Sequence, residues 1–320
     1  MNKTLLEFLA CPECGSAKLV LLSEDALTCP SCAARYPILN SIPQMLPAHL
    51  TATLPQKNNH LERLREAMRS EKDLVSQDNQ EIDRFMWEHH IYNWGKEVIY
   101  KDSRAAELYS SYAEKGASTL CQFLRQQVDG VNGKSLLYVG SGNDRLVSLP
   151  LQQEGAFIVN LDIVSDPLED LRQAGAQSCV CGDVRRLPFQ AEVFDVVFSK
   201  GSVHHSHPVA EPLRAMARVV KRGGHIVVAE PSKYMLARLP RLLLPAGLGY
   251  PTPYEDAISA HEVVSILAKD GISQLKIATL THAPPGTPAP ITRLWEGLGK
   301  AMPWLFNRFA FEFIVYGRRS

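Results

Sequence analysis

The chain has 320 residues, which is room for one good-sized domain with additional segments. Its content of 45% hydrophobic and 21% charged residues is ordinary for a globular protein. The 34 basic and 34 acidic side chains cancel, and the lack of a basic excess argues against a protein that acts on nucleic acid.

The N-terminal sequence and the cysteines favour a cytoplasmic protein. The first residues, MNKTLLEFLACPEC, have no long apolar segment and no small-residue cleavage site, so no signal peptide is expected. No uncharged apolar stretch reaches the roughly 18 residues of a membrane span. Four of the seven cysteines lie within the first 32 residues, which suggests a metal site in a reducing compartment rather than a disulfide framework.

Residues 1–46 form a cysteine-marked unit that is predicted to bind zinc. Two C-x-x-C pairs, Cys11 with Cys14 and Cys29 with Cys32, each supply two soft ligands from one turn, and together they complete a tetrahedron. Since so small a unit buries little core, metal binding would supply much of its folding energy. A site closed by four cysteines has no open position and would be structural. The alternative is a set of buried or redox-active thiols.

The same unit resembles the small zinc-ribbon family whose members partner or precede methyltransferases. The similarity runs from Cys11 to Leu46 and includes the stretches R-Y-P-I (35–38) and I-P-x-M-L (42–46). Ala33 departs from the pattern, because the second knuckle often has glycine there. The resemblance implies an interaction or stabilising module, and with it a candidate protein partner.

Residues 47–132 are expected to connect this ribbon to a larger domain. Residues 47–60 are polar and proline-bearing and indicate a linker. Residues 61–130 have a helical pattern rich in aromatic side chains such as Phe85 and Trp87, which either roof an active site or form helical core. The pair His89 and His90 lies among them and is a candidate for substrate contact.

From residue 133 to 320 the pattern changes to alternating strands and helices. Near-continuous apolar strands alternating with helices indicate an α/β fold, in which a parallel sheet is covered on both faces. An apolar, basic, proline-broken insertion occupies 233–259, and a long connection occupies 282–308. Strands are predicted over 136–140, 157–162, 177–181, 193–199, 225–230, 272–281 and 309–317, and helices over 143–154, 166–175, 208–220 and 260–270.

The glycine turn after the first of these strands is a candidate ligand loop. A strand, a tight turn at Gly140 and Gly142 and a helix N-terminus form an anion site, because free backbone N–H groups point outward there. Arg145 replaces the third glycine of the dinucleotide motif, which disfavours NAD and FAD. No G-K-[ST] sequence follows, which excludes a Walker loop.

Two acidic residues lie at the ends of the next two strands. Asp162 ends the second strand and suits the two ribose hydroxyls of an adenosine. Asp183 follows the third strand, where a carboxylate can accept the adenine amino group. S-adenosylmethionine (SAM) fits this pair, because it carries adenosine, a positively charged sulfonium and a methionine tail whose carboxylate can use the N–H groups of the loop.

Residues 135–231 resemble a class I SAM-dependent methyltransferase of the small-molecule type. The matching stretches, in the family's order and spacing, are LLYVGSGND, VNLD, GDVRRLPF, FDVVFSKGSVHHSHP and RVVKRGGHIVVAEP. The resemblance implies a Rossmann-like, seven-stranded sheet with an antiparallel last strand and SAM lying across the ends of the first strands. It implies cofactor contacts from Tyr138, Gly140, Ser141, Gly142, Asp144, Asp162, Ile163, Asp183, Val184 and Ser199.

Two positions depart from that family. Tyr138 stands where the family usually has an acidic residue that helps to hold the methionine ammonium, and Asp144 stands where it usually has a third glycine. Asp144 is expected to replace the missing acid from the other side of the loop. If it does not, SAM binding is weakened or lost and the domain is a non-catalytic scaffold.

The chemistry is expected to follow the fourth strand, in the stretch KGSVHHSHP. Histidine titrates near neutral pH, so His204 and His205 are candidate general bases, with His207 a weaker candidate; capping of the next helix is the alternative. The insertion at 233–259 is expected to form a substrate lid, and its apolar, basic composition would also suit a lipid or a membrane surface.

Together these features predict a cytoplasmic SAM-dependent methyltransferase with a structural zinc ribbon. Its acceptor is expected to be an O or N atom of a small metabolite of hydrophobic character. Methylation of an rRNA or tRNA base is the second hypothesis, which the balanced charge disfavours. A non-catalytic scaffold is the third.

Overall fold

The computed structural model describes residues 2–52, 81–82, 84–89, 103–206, 208–234, 258–283, 287–302 and 310–320. Most of the expected linker (47–60) and of the insertion (233–259), together with His90 and His207, lies outside these ranges. Among the described residues, no helix is both long enough and apolar enough to cross a membrane.

The N-terminal unit is a four-stranded antiparallel ribbon. It begins with a short helix, α1 (Lys3–Leu6), which is capped by the Asn2 side chain accepting a hydrogen bond from the Thr4 N–H. A one-turn helix, α2 (Ala48–Thr51), follows the last strand. The strands are β1 (Val20–Ser23), β2 (Ala26–Thr28), β3 (Arg35–Leu39) and β4 (Ile42–Met45), and they pair in chain order.

The second unit contains the predicted seven-stranded sheet. Its strands are β5 (Ser135–Val139), β6 (Phe157–Asp162), β7 (Ser178–Gly182), β8 (Phe194–Lys200), β9 (Val220–Pro231), β10 (Ile272–Thr281) and β11 (Glu312–Arg319). They lie in the order β7-β6-β5-β8-β9-β11-β10. Strands β5 to β9 are parallel, and β11 runs antiparallel to both of its neighbours. The α/β, Rossmann-like methyltransferase architecture is therefore as predicted.

Helices cover both faces of this sheet, which explains why its strands are apolar on both sides. Helices α3 (Ser103–Gln127) and α4 (Arg145–Gln153) pack over the face of β5 that carries Leu136 and Tyr138. Helix α5 (Ser165–Gln173) packs against β7. Helices α6 (Ala210–Val219) and α7 (Ala260–Lys269) cover the opposite face, with Leu137 and Val139.

The ribbon and the methyltransferase-like sheet are continuous. Strand β4 pairs in parallel with β7, with Gln44 opposite Cys181 and Met45 opposite Gly182, so the seven strands and the four ribbon strands form one eleven-stranded sheet. The Phe8 ring of the ribbon has its centroid 5.1 Å from that of Phe157. This pairing covers an edge of β7 that would otherwise present unpaired backbone groups.

One helical segment differs from the sequence expectation, and another settles a choice that the sequence left open. Helix α8 (Ala289–Ala301) lies within the predicted long connection, where the prolines on its N-terminal side mask its pattern; Pro288 is its N-cap residue. Phe85 and Trp87 lie in a helical stretch at 84–89 and are 1% and 3% exposed, so these two side chains take the core alternative of the two that the sequence left open. His89 also faces the core, with its Nδ1 2.9 Å from the Phe85 carbonyl oxygen.

Candidate cofactor site and metal centre

The four cysteines of the ribbon converge on one point. The sulfur atoms of Cys11, Cys14, Cys29 and Cys32 all lie within 4.8 Å of one another, and no disulfide joins them. Four thiol ligands in this arrangement are the donor set of a tetrahedral zinc ion with no open coordination position. The Tyr36 hydroxyl is hydrogen-bonded to the Cys11 sulfur at 3.0 Å and so orients that ligand. The residues fit the predicted structural zinc.

Matched turns build the two cysteine knuckles. The N–H of Gly15 donates to the Cys11 carbonyl and the N–H of Ala33 to the Cys29 carbonyl, each at 2.8 Å. Gly15 has a φ of +73° and Ala33 a φ of +59°, both in the left-handed region that favours glycine. Ala33 therefore adopts the backbone of the glycine usual at this position, at a strain of about 1 kcal/mol.

A cavity of about 280 Å³ opens at the carboxyl ends of β5, β6, β7 and β8. In an open parallel sheet this edge, near the point where the strand order reverses, is where ligands bind. Of the ten cofactor residues that the resemblance implies, all except Ser199 line the cavity. The sequence expectation did not include Arg84, Glu88, Arg185, Lys200 and Ser202, which also line it.

The glycine turn forms one wall of this cavity. Gly140 and Gly142 have φ values of +64° and +51°. A Cβ on Gly140 would lie 2.2 Å from the Cβ of Ser202, so only glycine fits there. A Cβ on Gly142 would meet no atom of the described residues within 4 Å, since this residue borders the open cavity.

The N–H groups of the turn are used within the protein. Ser141 donates to the Leu161 carbonyl at 2.9 Å, and Gly142 donates to the Asp162 carboxylate at 2.8 Å. In this structure these two donors are therefore already satisfied within the protein. A cationic side chain of the cavity, Lys200, is also available to a ligand anion.

Asp162 ties the end of β6 to the glycine turn. Its Oδ2 accepts the hydrogen bond from Gly142, and its Oδ1 accepts one from the Val164 N–H at 3.0 Å. Burial raises the pKa of this carboxyl to about 6, and the two N–H donors oppose the rise. The side chain also faces the cavity, where its remaining lone pairs can accept hydrogen bonds from hydroxyl groups.

Asp183 follows β7 and is held by an arginine. It is 2% exposed, and its Oδ2 accepts a hydrogen bond from Nη2 of Arg185 at 2.6 Å. Its Oδ1 accepts one from the Arg185 backbone N–H at 2.8 Å, and Arg185 also reaches Glu81 at 3.0 Å. A ligand amino group at this carboxylate would share it with Arg185.

The two positions that depart from the family pattern contact each other. The Tyr138 hydroxyl donates to Oδ2 of Asp144 at 2.9 Å, and the Lys200 ammonium lies 3.3 Å from the same oxygen. Burial, together with the Asp144 charge, raises the pKa of Tyr138, so the phenol remains a donor. A carboxylate is thus present beside residue 138, supplied across the loop by Asp144, which is the geometry expected if Asp144 replaces the missing acid.

Each of the two predicted catalytic histidines faces a carboxylate. His204 Nδ1 lies 2.6 Å from Oε2 of Glu230, and His205 Nδ1 lies 3.3 Å from Oε1 of Glu88. The two rings are in contact, with centroids 4.3 Å apart. His205 lines the cavity, whereas His204 lies beside it.

Ser199 is placed differently from its expected role. It is fully buried and does not line the cavity, whereas Lys200, the next residue of β8, does. Successive side chains of a strand point to opposite faces, so the continuation of β8 to Lys200 gives the cavity a cation where a hydroxyl was expected.

Two family profiles match the chain at the features described above. Residues 137–228, which include the glycine turn and strands β6 to β8, match the family described as a methyltransferase domain. Residues 2–41, which include the four cysteines, match the family described as Trm112p-like protein.

Curated relatives match parts of this chain at about 30% identity. The biotin biosynthesis bifunctional protein BioHC of Cellvibrio japonicus is 30% identical over 148 residues, which are 46% of this chain and 29% of that protein. A ubiquinone biosynthesis O-methyltransferase of Pectobacterium atrosepticum is 29% identical over 110 residues, 32% of this chain and 45% of that protein. The chain therefore spans less than half the length of these relatives.

Two solved structures were found to be similar at low sequence identity. The complex between the Haloferax volcanii Trm112 methyltransferase activator and the putative methyltransferase gives a TM-score of 0.48 at 17% identity, covering 68% of this chain and 95% of that chain. Magnesium protoporphyrin IX methyltransferase (ChlM) from Synechocystis with bound SAH gives 0.47 at 16% identity, covering 68% and 88%.

Proposed function

We propose that this chain, which joins a Trm112p-like domain to a methyltransferase domain, is a SAM-dependent methyltransferase acting on an O or N atom of a small, hydrophobic metabolite. The observation that carries the proposal is the cavity at the carboxyl edge of the sheet, where Asp162 closes the glycine turn. Most of the residues that line this cavity, though not Arg84 and Glu88, lie within the stretch 137–228 that matches the methyltransferase family.

The cavity residues fit SAM in charge and in shape. Asp162 would accept the ribose hydroxyls, and Asp183, together with Arg185, would meet the adenine. Lys200 is the cation suited to the methionine carboxylate, and Asp144 is the anion suited to the ammonium. When bound, SAM supplies a methyl group on an electrophilic sulfonium. The chain has to align the acceptor and, for a hydroxyl acceptor, to remove its proton.

The relatives support a small-molecule acceptor. The names of BioHC and of the ubiquinone biosynthesis enzyme refer to biotin and to ubiquinone, and a demethylmenaquinone methyltransferase of Beutenbergia cavernae is 30% identical over 151 residues, 62% of its length. The zero net charge of this chain supports the same choice over an RNA acceptor.

The zinc ribbon serves, in this proposal, as a supporting domain for the cofactor site. Strand β4 covers β7, and β7 leads directly into Asp183. Gln190, seven residues after Asp183, donates through its side-chain amide to the Glu7 carbonyl of the ribbon at 2.8 Å. The ribbon therefore buttresses the adenine side of the cavity from within the same chain.

Calorimetric titration of the zinc-loaded protein with SAM and with S-adenosylhomocysteine tests the proposal. We expect dissociation constants on the order of micromolar, weakened at least about tenfold in Asp162→Asn. Asp166→Asn is the matched control, because Asp166 is an exposed carboxylate of α5 outside the cavity wall. No binding at millimolar ligand would refute the proposal and favour a scaffold.

A transfer assay separates the acceptor classes. The protein is incubated with methyl-tritiated SAM and either a small-molecule extract or total RNA. Label that moves into the organic-soluble fraction supports a hydrophobic metabolite, and label confined to RNA would contradict that part of the proposal.

A further inference from the structure

Glu230 is a buried carboxylate that no part of the proposed cofactor site uses. It lies near the end of β9, is 0% exposed, and is within hydrogen-bond distance of three groups among the residues that the structure describes. Its Oε1 accepts hydrogen bonds from the backbone N–H groups of Ser202 at 3.1 Å and Val203 at 2.9 Å. Its Oε2 lies 2.6 Å from Nδ1 of His204. Burial of so polar a group requires that its oxygens be satisfied by such donors.

These contacts determine which nitrogen of His204 carries a proton. Two backbone donors already occupy Oε1, and a carboxylate oxygen at Oε2 would accept a hydrogen bond from an N–H on Nδ1 of His204 at this short distance. A neutral imidazole has only one N–H, so its Nε2 keeps a free lone pair. The same carboxylate fixes the backbone at Ser202, whose hydroxyl donates to the Val139 carbonyl at 2.9 Å next to the glycine turn.

The location of His204 differs from that of His205 in a way that matters for catalysis. His205 lines the cavity, whose volume the cofactor would fill, and it has a longer contact, 3.3 Å, to Glu88. His204 lies beside the cavity with a side chain that is 16% exposed. A methyl acceptor has to lie next to the cofactor and outside the volume that the cofactor fills, so His204 has the more suitable position for a base.

We propose that His204 is the proton acceptor of the methyl transfer and that Glu230 is its positioning residue, holding the imidazole as the Nδ1–H tautomer with Nε2 directed to a hydroxyl acceptor. This inference rests on the proposed function. It commits the acceptor to a group that loses a proton, which favours a hydroxyl over a tertiary amine or a thioether.

The proposed methyl transfer consists of one displacement at carbon and one proton transfer. The acceptor oxygen forms a bond to the methyl carbon while the bond from that carbon to the sulfonium breaks, and the sulfur leaves as a neutral thioether. The proton of the acceptor hydroxyl moves to Nε2 of His204, which becomes an imidazolium paired with the Glu230 carboxylate. His204 then releases this proton to solvent.

The substitution Glu230→Gln gives a test with a definite sign. A glutamine oxygen can still accept from Ser202 and Val203, which keeps the local backbone in place. Its NH2 group then faces Nδ1 of His204 and can only donate, so the ring has to move its proton to Nε2. A purely structural role for Glu230 would not require this reversal.

The measurement is the nitrogen-15 spectrum of histidine-labelled, zinc-loaded protein at pH 8, with the His204 signals assigned by their loss in His204→Gln. We expect the Nδ1–H form in the wild type and the Nε2–H form in Glu230→Gln. Glu88→Gln is the matched control, since it removes the same charge beside His205, and it should leave the His204 tautomer unchanged.

The outcomes separate this inference from the proposed function. An Nε2–H form or a doubly protonated ring in the wild type overturns the role assigned to His204, as does an unchanged tautomer in Glu230→Gln with an intact melting transition. Failure of SAM to bind in calorimetry overturns the proposed function and leaves the tautomer result standing by itself.

Discussion

The ionised side chain of Asp162 should lower the free energy of unfolding of the ligand-free protein, although the same side chain is proposed to bind the cofactor. Its carboxyl group lies against protein on most sides, and burial raises its pKa from an ordinary 3.8 to about 6. The folded state therefore binds a proton more tightly than the unfolded state does. Stability contributed by this group is present at low pH and is lost as the pH rises from about 4 to about 6, because the unfolded chain ionises first.

The magnitude follows from the size of the pKa displacement. One pKa unit corresponds to about 1.4 kcal/mol, so the ionised Asp162 lowers the free energy of unfolding by at most about 3 kcal/mol at neutral pH. Water in the cavity screens the charge and reduces this figure. About half of the loss should develop between pH 5 and pH 8.

Asp162→Asn removes the titration and keeps one acceptor for the two N–H groups. The lost second acceptor costs a constant amount, about 1 to 3 kcal/mol, at every pH. The informative quantity is therefore the pH slope of the difference in unfolding free energy between the variant and the wild type. Urea unfolding at saturating zinc from pH 5 to pH 8 measures it, and any zinc release at low pH is common to both proteins and cancels in the difference.

We expect the variant to gain stability relative to the wild type as the pH rises, by about 1 to 1.5 kcal/mol over this range. A flat difference, or one in which the wild type gains, would refute the reasoning. It would mean that the hydrogen bonds from Gly142 and Val164 outweigh the burial of the charge.

Two further predictions concern the glycine turn and the metal. Gly140→Ala should lower the free energy of unfolding by about 1 to 3 kcal/mol more than Gly201→Ala in urea titrations, because both glycines have a φ of +64° but only the former would place its Cβ 2.2 Å from Ser202; equal losses would contradict the steric argument. Cys14→Ser should lose the bound zinc measured by mass spectrometry of metals, whereas the buried Cys121→Ser should retain it. Retention of zinc by both variants would rule out the cysteine cluster as the metal site.

The sheet could be predicted from the sequence because its signal is local. Two strands, 157–162 and 272–281, begin and end where the apolar pattern places them. The four-cysteine cluster is equally local, since two short turns supply all of its ligands. By contrast, helix α8 was not predicted, because prolines lie at its N-terminal end and its first residues have no continuous apolar pattern.

The parts of the site that escaped prediction depend on distant pairs. Arg84 and Glu88 line the cavity from a segment about fifty residues before the glycine turn, and the helical pattern of that segment left open whether it packs over a site or into the core. Glu230 is separated from His204 by 26 residues, and the pairing of β8 with β9 brings the two side chains together. The sequence alone does not predict this contact. Lys200 lines the cavity and the expected Ser199 does not, because β8 continues one residue beyond its predicted end and successive side chains of a strand point to opposite faces.

The parallel pairing of β4 with β7 takes place within one chain, and this changes how the assembly responds to dilution. Two separate chains joined by the same strands would obey mass action and come apart at low concentration. A tether holds the local concentration of one partner around the other on the order of millimolar, whatever the total protein concentration. The ribbon is therefore held in a fixed one-to-one ratio to the sheet, and the pairing of β4 with β7 should be independent of dilution.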